Sequence, residues 1–200
     1  LAVKPQYFDA VFSEIRDVVT PEQVVISLAP GVTISNITER LGGNVRVARA
    51  MPNTPAMLGE GMTGISCGEG SCTEEEKETV RDIFSSCGRV EMVEERLMDA
   101  VGCVSGSSPA FVYMFIEALA DGGVKYGLPR KTAYAMAAQT VLGSAKMILE
   151  TGKHPGQLKD EVCSPGGTTI AGVSALEEYG LRNAVIKAAD ACYEKTQSMK

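Results

Sequence analysis

Two hundred residues, 44% of them hydrophobic and only 22% charged, suffice to bury a sizeable core in one large domain or two small ones, which excludes a disordered chain. The formal net charge of -6 leaves no basic stripe for a phosphate backbone or an anionic bilayer, so neither nucleic acid nor a membrane is an expected partner. In chain order, Leu1-Ala2-Val3 reads as the tail of a strand and Pro5 to Val19 as a helix. No basic region there leads into an apolar run with a small-residue cleavage site, so no signal peptide is expected and the cytoplasm is the default. Val24 to Ala29 has the near-continuous apolar character of a parallel strand covered on both faces. Thr33 to Leu41 reads as a helix that stops at Gly42-Gly43, and Val45 to Ala50 as a second strand. Thr73-Glu-Glu-Glu76 is a capping box opening a helix to about Ser86, and Arg89 to Val93 is a short strand after Gly88. Residues 1–93 thus alternate strand and helix as a doubly wound α/β sheet does. No Gly-x-Gly-x-x-Gly follows a strand, so either the phosphate-binding turn of a dinucleotide domain lies upstream or there is no such site.

From Glu94 the period is helical throughout, so 94–200 is expected to be an all-α domain. Ser107-Ser108-Pro109 offers a hydroxyl N-cap followed by proline at the first helical position, where its missing N–H is harmless. Pro109 to Ala120 carries one charge, Glu117; it is too short for the roughly 20 residues of a bilayer span and reads as buried core. A helix apolar nearly all round must be covered on every side, more than this segment can do alone, so a second subunit is expected. Gly127-Leu128-Pro129 closes that helix, and Arg130 to Glu150 forms another, ending at Thr151-Gly152. Its alanines (133, 135, 137, 138, 145) allow close helix approach or are simply good helix formers.

Six cysteines without a Cys-x-x-Cys pair suggest free thiols in a reducing compartment, and neither a zinc site nor a disulfide framework. The single histidine, His154, sits in a Gly-Lys-His-Pro-Gly turn with no nucleophile near it in sequence. Ligands of open parallel sheets bind beyond the carboxyl ends of the strands, here Val3-Lys4-Pro5, Ala29 to Thr33 and Met51 to Pro55. The sharpest local signal is Cys163-Ser-Pro-Gly-Gly-Thr-Thr-Ile170. Its two glycines allow a tight turn that leaves the N–H groups of Gly166, Gly167, Thr168 and Thr169 at the head of a helix, with the Ser164 and Thr169 hydroxyls beside them. That is either a carboxylate or phosphate site or a plain capping turn.

The run Pro155 to Glu177 resembles the long signature of pyrroline-5-carboxylate reductases. So do Ser105-Gly-Ser-Ser-Pro-Ala110, Ala120-Asp-Gly-Gly-Val-Lys125 with Gly127-Leu-Pro129, Met51-Pro-Asn-Thr-Pro55, Ala2-Val-Lys-Pro5 and Gly31-Val-Thr-Ile34. The likeness runs from Leu1 to about the last helix, in order; Ser108 departs from it, since many members have glycine there. It implies the C-terminal part of a Rossmann-like domain in 1–93 and a helical dimerisation and substrate domain in 94–200, assembled as a homodimer or larger homo-oligomer. It also implies NAD(P)H-dependent reduction of a cyclic imine, 1-pyrroline-5-carboxylate, to proline.

By this resemblance the nicotinamide end of the cofactor lies against Ala2, Val3, Lys4, Pro30, Gly31 and Asn53. The substrate carboxylate lies on Ser164, Gly166, Gly167, Thr168 and Thr169, and the Thr169 hydroxyl near the ring nitrogen makes it the catalytic candidate. The first strands and the glycine-rich fingerprint should lie upstream, so these 200 residues alone should bind NAD(P)H weakly or not at all. The choice between NADH and NADPH rests on upstream residues too. Reducing a C=N bond needs a hydride on carbon, a proton on nitrogen and a clamp on the ring; an imine arriving protonated leaves the protein mainly to position the reactants. Two other readings are a non-enzymatic helical dimerisation module and an NADP-linked hydroxyacid dehydrogenase. The latter relies on a catalytic lysine, whereas Lys125 and Lys146 read as structural.

Overall fold

The fold is that of a computed structural model describing residues 1–3, 7–68 and 70–198. Strand-forming segments end at Met92 and only helices follow. Packing divides the chain elsewhere, into a sheet-bearing unit, Leu1–Pro109 with Ala188–Lys200, and a helical unit, Ala110–Lys187.

In the sheet unit the order is α1 (Phe8–Ile15), β1 (Val24–Ser27), α2 (Ile34–Arg40), β2 (Arg46–Met51), a 3-10 helix (Thr54–Leu58), β3 (Gly61–Cys67), α3 (Glu74–Ser85) and β4 (Gly88–Met92). The strands lie in that order across one sheet. β1 and β2 are parallel, β2 and β3 antiparallel, β3 and β4 parallel. Alternation along each strand sends Val25 and Val47 to a cluster with Phe8, Phe12, Ile34 and Ile37 of α1 and α2. The opposite face gives Ile26, Ala48, Ala50 and Ile65 to Val80 and Phe84 of α3. Helices therefore cover both faces, as a doubly wound sheet requires. The Thr73 box closes as its sequence implies: Glu76 N–H donates to Thr73 Oγ1 (3.2 Å) and Thr73 N–H to Glu76 Oε2 (2.8 Å). Leu1 pairs with the outer edge of β1 in the parallel pattern, its amino group donating to Ile26 O while Leu28 N–H donates to Leu1 O at 3.0 Å.

β3 is unannounced by the sequence pattern, and it makes the sheet mixed. The run Gly59-Glu60-Gly61-Met62-Thr63-Gly64 satisfies the dinucleotide spacing literally. It leaves a 3-10 helix and enters β3, where the phosphate-binding turn leaves a strand and opens a helix. Gly64 is there for packing: a Cβ would come within 2.6 Å of Val101 Cγ1.

After β4 come a second 3-10 helix (Glu95–Leu97), α4 (Met98–Val101), a π-helical turn (Gly102–Gly106) and α5 (Ser108–Lys125). Ser108 is the first residue of α5 rather than its cap, and its hydroxyl donates back to Cys103 O at 2.8 Å. The helical unit continues through α6 (Arg130–Thr151), α7 (Pro155–Val162), α8 (Thr168–Glu178) and the first part of α9 (Leu181–Gln197). His154 is the N-cap of α7, its Nδ1 accepting from Gly156 N–H at 3.0 Å. The C-terminal part of α9 belongs to the sheet unit, where Gln197 Nε2 donates to the buried Asp99 carboxylate at 2.8 Å.

In the helical unit the fully buried apolar residues are Ala120, Ala133 and Ala137, backed by Ile116 and Val124. Tyr113, Met114, Leu119, Met136, Leu142, Leu149, Val185 and Ile186 are exposed. The helical run Glu95–Lys125 is, by length and composition, long and apolar enough to cross a membrane, a longer run than the sequence pattern indicates.

Candidate functional site

Because Leu1, β1 and β2 run parallel, the segments that follow them meet at one edge of the sheet. Ala2 and Val3 follow Leu1 there; Lys4 lies outside the described residues. Pro30 and Gly31 join β1 to α2, with Gly31 in the left-handed region (φ 75). Thr33 caps α2, its Oγ1 accepting from Asn36 N–H at 3.2 Å. Glu95 reinforces that turn: its Oε1 accepts from Ile34 N–H at 2.6 Å and from Arg49 Nη1 at 3.2 Å. Arg49 projects from β2 and is 3% exposed, and its Nε and Nη2 have no partner among the described residues. Asn53, just past β2, spends both ends of its amide on the protein. Nδ2 donates to Ser105 O at 3.1 Å, and Oδ1 accepts from Met62 N–H at 2.9 Å.

The second group of residues lies in the helical unit, on the turn between α7 and α8. Gly166 takes the left-handed conformation (φ 69) that lets the chain reverse. Gly167 lets the Ser164 side chain lie against it: a Cβ would fall 2.4 Å from Ser164 Oγ and turn that hydroxyl away. Its N–H donates to Ser164 O at 3.0 Å, so this amide is spent inside the turn. Gly167 then serves as N-cap of α8 with no side chain capping the first turn. The amides of Thr168, Thr169 and Ile170 head an eleven-residue helix whose dipole favours negative charge at that end. Thr169 is half-buried and its hydroxyl makes no hydrogen bond among the described residues. The nearby cations are paired: Lys159 with Asp160, which raises the lysine pKa through the hydrogen bond, and Arg182 with Glu177 at 2.7 Å. This turn can hold a carboxylate on backbone amides and set one hydroxyl beside it; it carries no tuned acid or base.

The cysteines are all free, and burial together with the neighbouring Cys72 pushes the Cys67 thiol up to about 12, which removes it as a nucleophile at neutral pH. Sequence reasoning missed the Ile170 amide, the pair Arg49 and Glu95, and the partners of Asn53. Arg49 had a signal: counting by two from Val47 puts it on a buried face of β2, where an unpaired arginine is costly. Nothing local foretells the Asn53 contacts.

Residues 95–199 match the family model described as pyrroline-5-carboxylate reductase dimerisation. The pyrroline-5-carboxylate reductase of Escherichia coli (strain K12) is 50% identical over 198 residues, covering 99% of this chain and 73% of that protein. Among solved structures, a pyrroline-5-carboxylate reductase from Coxiella burnetii superposes with a TM-score of 0.92 at 38% identity, covering 100% of this chain and 74% of that one. The Plasmodium falciparum pyrroline carboxylate reductase, determined with NADP bound, gives 0.90 at 36% identity over 99% of this chain and 79% of that one.

Proposed function

The chain belongs to the pyrroline-5-carboxylate reductase family, a family of NAD(P)H-dependent oxidoreductases of proline biosynthesis, and from that premise we propose how its residues divide the work. The uncapped first turn of α8 behind Gly166-Gly167 carries the reading. The Thr168, Thr169 and Ile170 amides, with the Ser164 hydroxyl, hold the carboxylate of 1-pyrroline-5-carboxylate. The Thr169 hydroxyl orients the ring nitrogen or relays its proton. The parallel edge formed by Ala2, Val3, Pro30, Gly31 and the Asn53 loop receives the nicotinamide half of the cofactor, which when bound supplies the hydride. The exposed apolar face of the helical unit pairs with a second copy. The free thiols suit the cytoplasm.

Among the described residues no Gly-x-Gly-x-x-Gly run leads from a strand into a helix, so a polypeptide limited to these 200 residues binds NADPH weakly and is inactive. Calorimetric titration giving a micromolar Kd for that polypeptide would refute this. In the enzyme with its dinucleotide turn, Thr169→Ala keeps the amides and loses one hydroxyl. KM for the imine rises modestly while kcat falls about 10²-fold, the usual worth of positioned proton transfer. The defect grows as pH rises, because the free imine then arrives without its proton. An alanine variant with unchanged kcat at every pH removes Thr169 from the mechanism.

A further inference from the structure

The π-helical turn Gly102–Gly106 interrupts what would otherwise be one helix from α4 into α5, and such turns recur at functional sites. Its backbone is held by unusual bonds. Ser107 N–H reaches five residues back to Gly102 O at 2.9 Å. Two carbonyls of the segment and the one just before it receive side-chain donors: Val101 O from Ser105 Oγ (3.0 Å), Cys103 O from Ser108 Oγ (2.8 Å) and Ser105 O from Asn53 Nδ2 (3.1 Å). The first two are local, while the third comes from 52 residues earlier in the chain. Ser105 O needs an outside donor for a covalent reason: its α-helical partner would be the N–H of residue 109, which is proline.

The other end of the same amide, Oδ1, accepts from Met62 N–H at the start of β3. Gly106 packs on Met51 at the end of β2, where a Cβ would lie 3.9 Å from the sulfur. One side chain therefore ties together the carboxyl end of β2, the first residues of β3 and the interrupted helix.

We infer that Asn53 is a positioning residue for hydride transfer, acting through the Ser105 carbonyl to seat the π turn against the sheet edge that takes the nicotinamide; this rests on the cofactor placement proposed above. Its amide is occupied by protein on both ends, so its effect on the reaction is one of alignment and falls on kcat. A misplacement of about 1 Å in a reacting pair costs on the order of 10²-fold in rate.

The test compares Asn53→Ala and Asn53→Asp in the catalytically competent enzyme. Asn53→Asp keeps the acceptor for Met62 N–H but replaces the donor to Ser105 O with a carboxylate oxygen that repels it. Both variants should lower kcat about 10- to 100-fold with KM for the cofactor within about twofold of wild type. In both, deuterium exchange across Gly102–Ser108 should quicken while β1 and β2 stay protected, and the Met62 amide of β3 should quicken only in Asn53→Ala. Unchanged kcat in both variants overturns the inference, as does a loss carried wholly by the cofactor KM, which would mean that Asn53 binds the cofactor directly. A wild-type enzyme that fails to reduce the imine refutes the functional reading instead, and the exchange comparison still decides the clamp: unaltered exchange across Gly102–Ser108 overturns it.

Discussion

The sheet unit buries Phe8, Phe12, Ile34, Ile37, Val47, Ile65 and Val80, from helices on both faces of four strands. The helical unit buries three alanines while its tyrosines, its methionines and most of its leucines face outward. Burial contributes about 25 cal/mol per Å² of apolar surface, so the first unit holds a core of its own and the second has almost none. What the helical unit does have is the apolar surface of a core cut in half, as obligate interfaces do. The family model matched by residues 95–199 is one of dimerisation, in keeping with that surface.

The comparison breaks most visibly if a charge is placed on the exposed apolar face. Met114→Glu with Phe115→Glu should abolish the homo-oligomer and most of the activity, since an unpaired buried charge costs several kcal/mol. Light scattering would report monomer mass, and exchange protection should vanish from α5 and α6 while β1 to β4 keep theirs. Retention of oligomer mass and activity would mean that the helical unit stands alone. Within the sheet unit, Glu95→Ala leaves Arg49 buried without its partner and should cost about 3 kcal/mol in chemical denaturation. Arg49→Met with Glu95→Leu should recover part of that loss, because an apolar pair of like volume can replace the ion pair but not the acceptor for Ile34 N–H. A Glu95→Ala variant as stable as wild type would show that the pair does not hold the turn before α2. The smallest expected effect is Thr73→Ala, which removes one cap from α3 and should cost about 1 kcal/mol without altering oligomer mass. Melting curves would show this, and a concentration-dependent change would tie α3 to the interface.

Much of the sheet unit was legible because its periods are sharp. Val24 to Ala29 and Thr73 to Ser86 announce themselves by apolar continuity and by a capping box, and the structure differs from those readings by at most two residues at either end. β3 was illegible for a physical reason: Gly61 and Gly64 are poor strand formers, kept where Ala56 and Val101 press close, and only the fold reveals those neighbours. Proline at 109 signalled a helix start but not the π turn before it, whose stabilising donor sits on another element. The turn at Ser164 to Thr169 was readable from its two glycines and following threonines. The use of the Gly167 amide by Ser164 was not, since a sequence shows which groups a turn contains and not which it consumes. Asn53 makes the same point at longer range, because nothing near it in sequence foretells that its amide bonds Ser105 and Met62.

The bond between Gln197 and Asp99 spans 98 residues and lies wholly within the sheet unit, whose chain is thereby interrupted by the entire helical unit. Contacts so distant along the chain form late, since closing the loop costs entropy before any packing repays it. During synthesis the β1 to β4 sheet can assemble early, but α4 waits for its last helical neighbour until residue 197 has emerged. Over that interval the apolar helices between are already made and uncovered, with neither α9 nor a second copy in place. The uncovered apolar helices are therefore most exposed to misassembly during synthesis, which runs at roughly 5–20 residues per second, until residue 197 is available to α4.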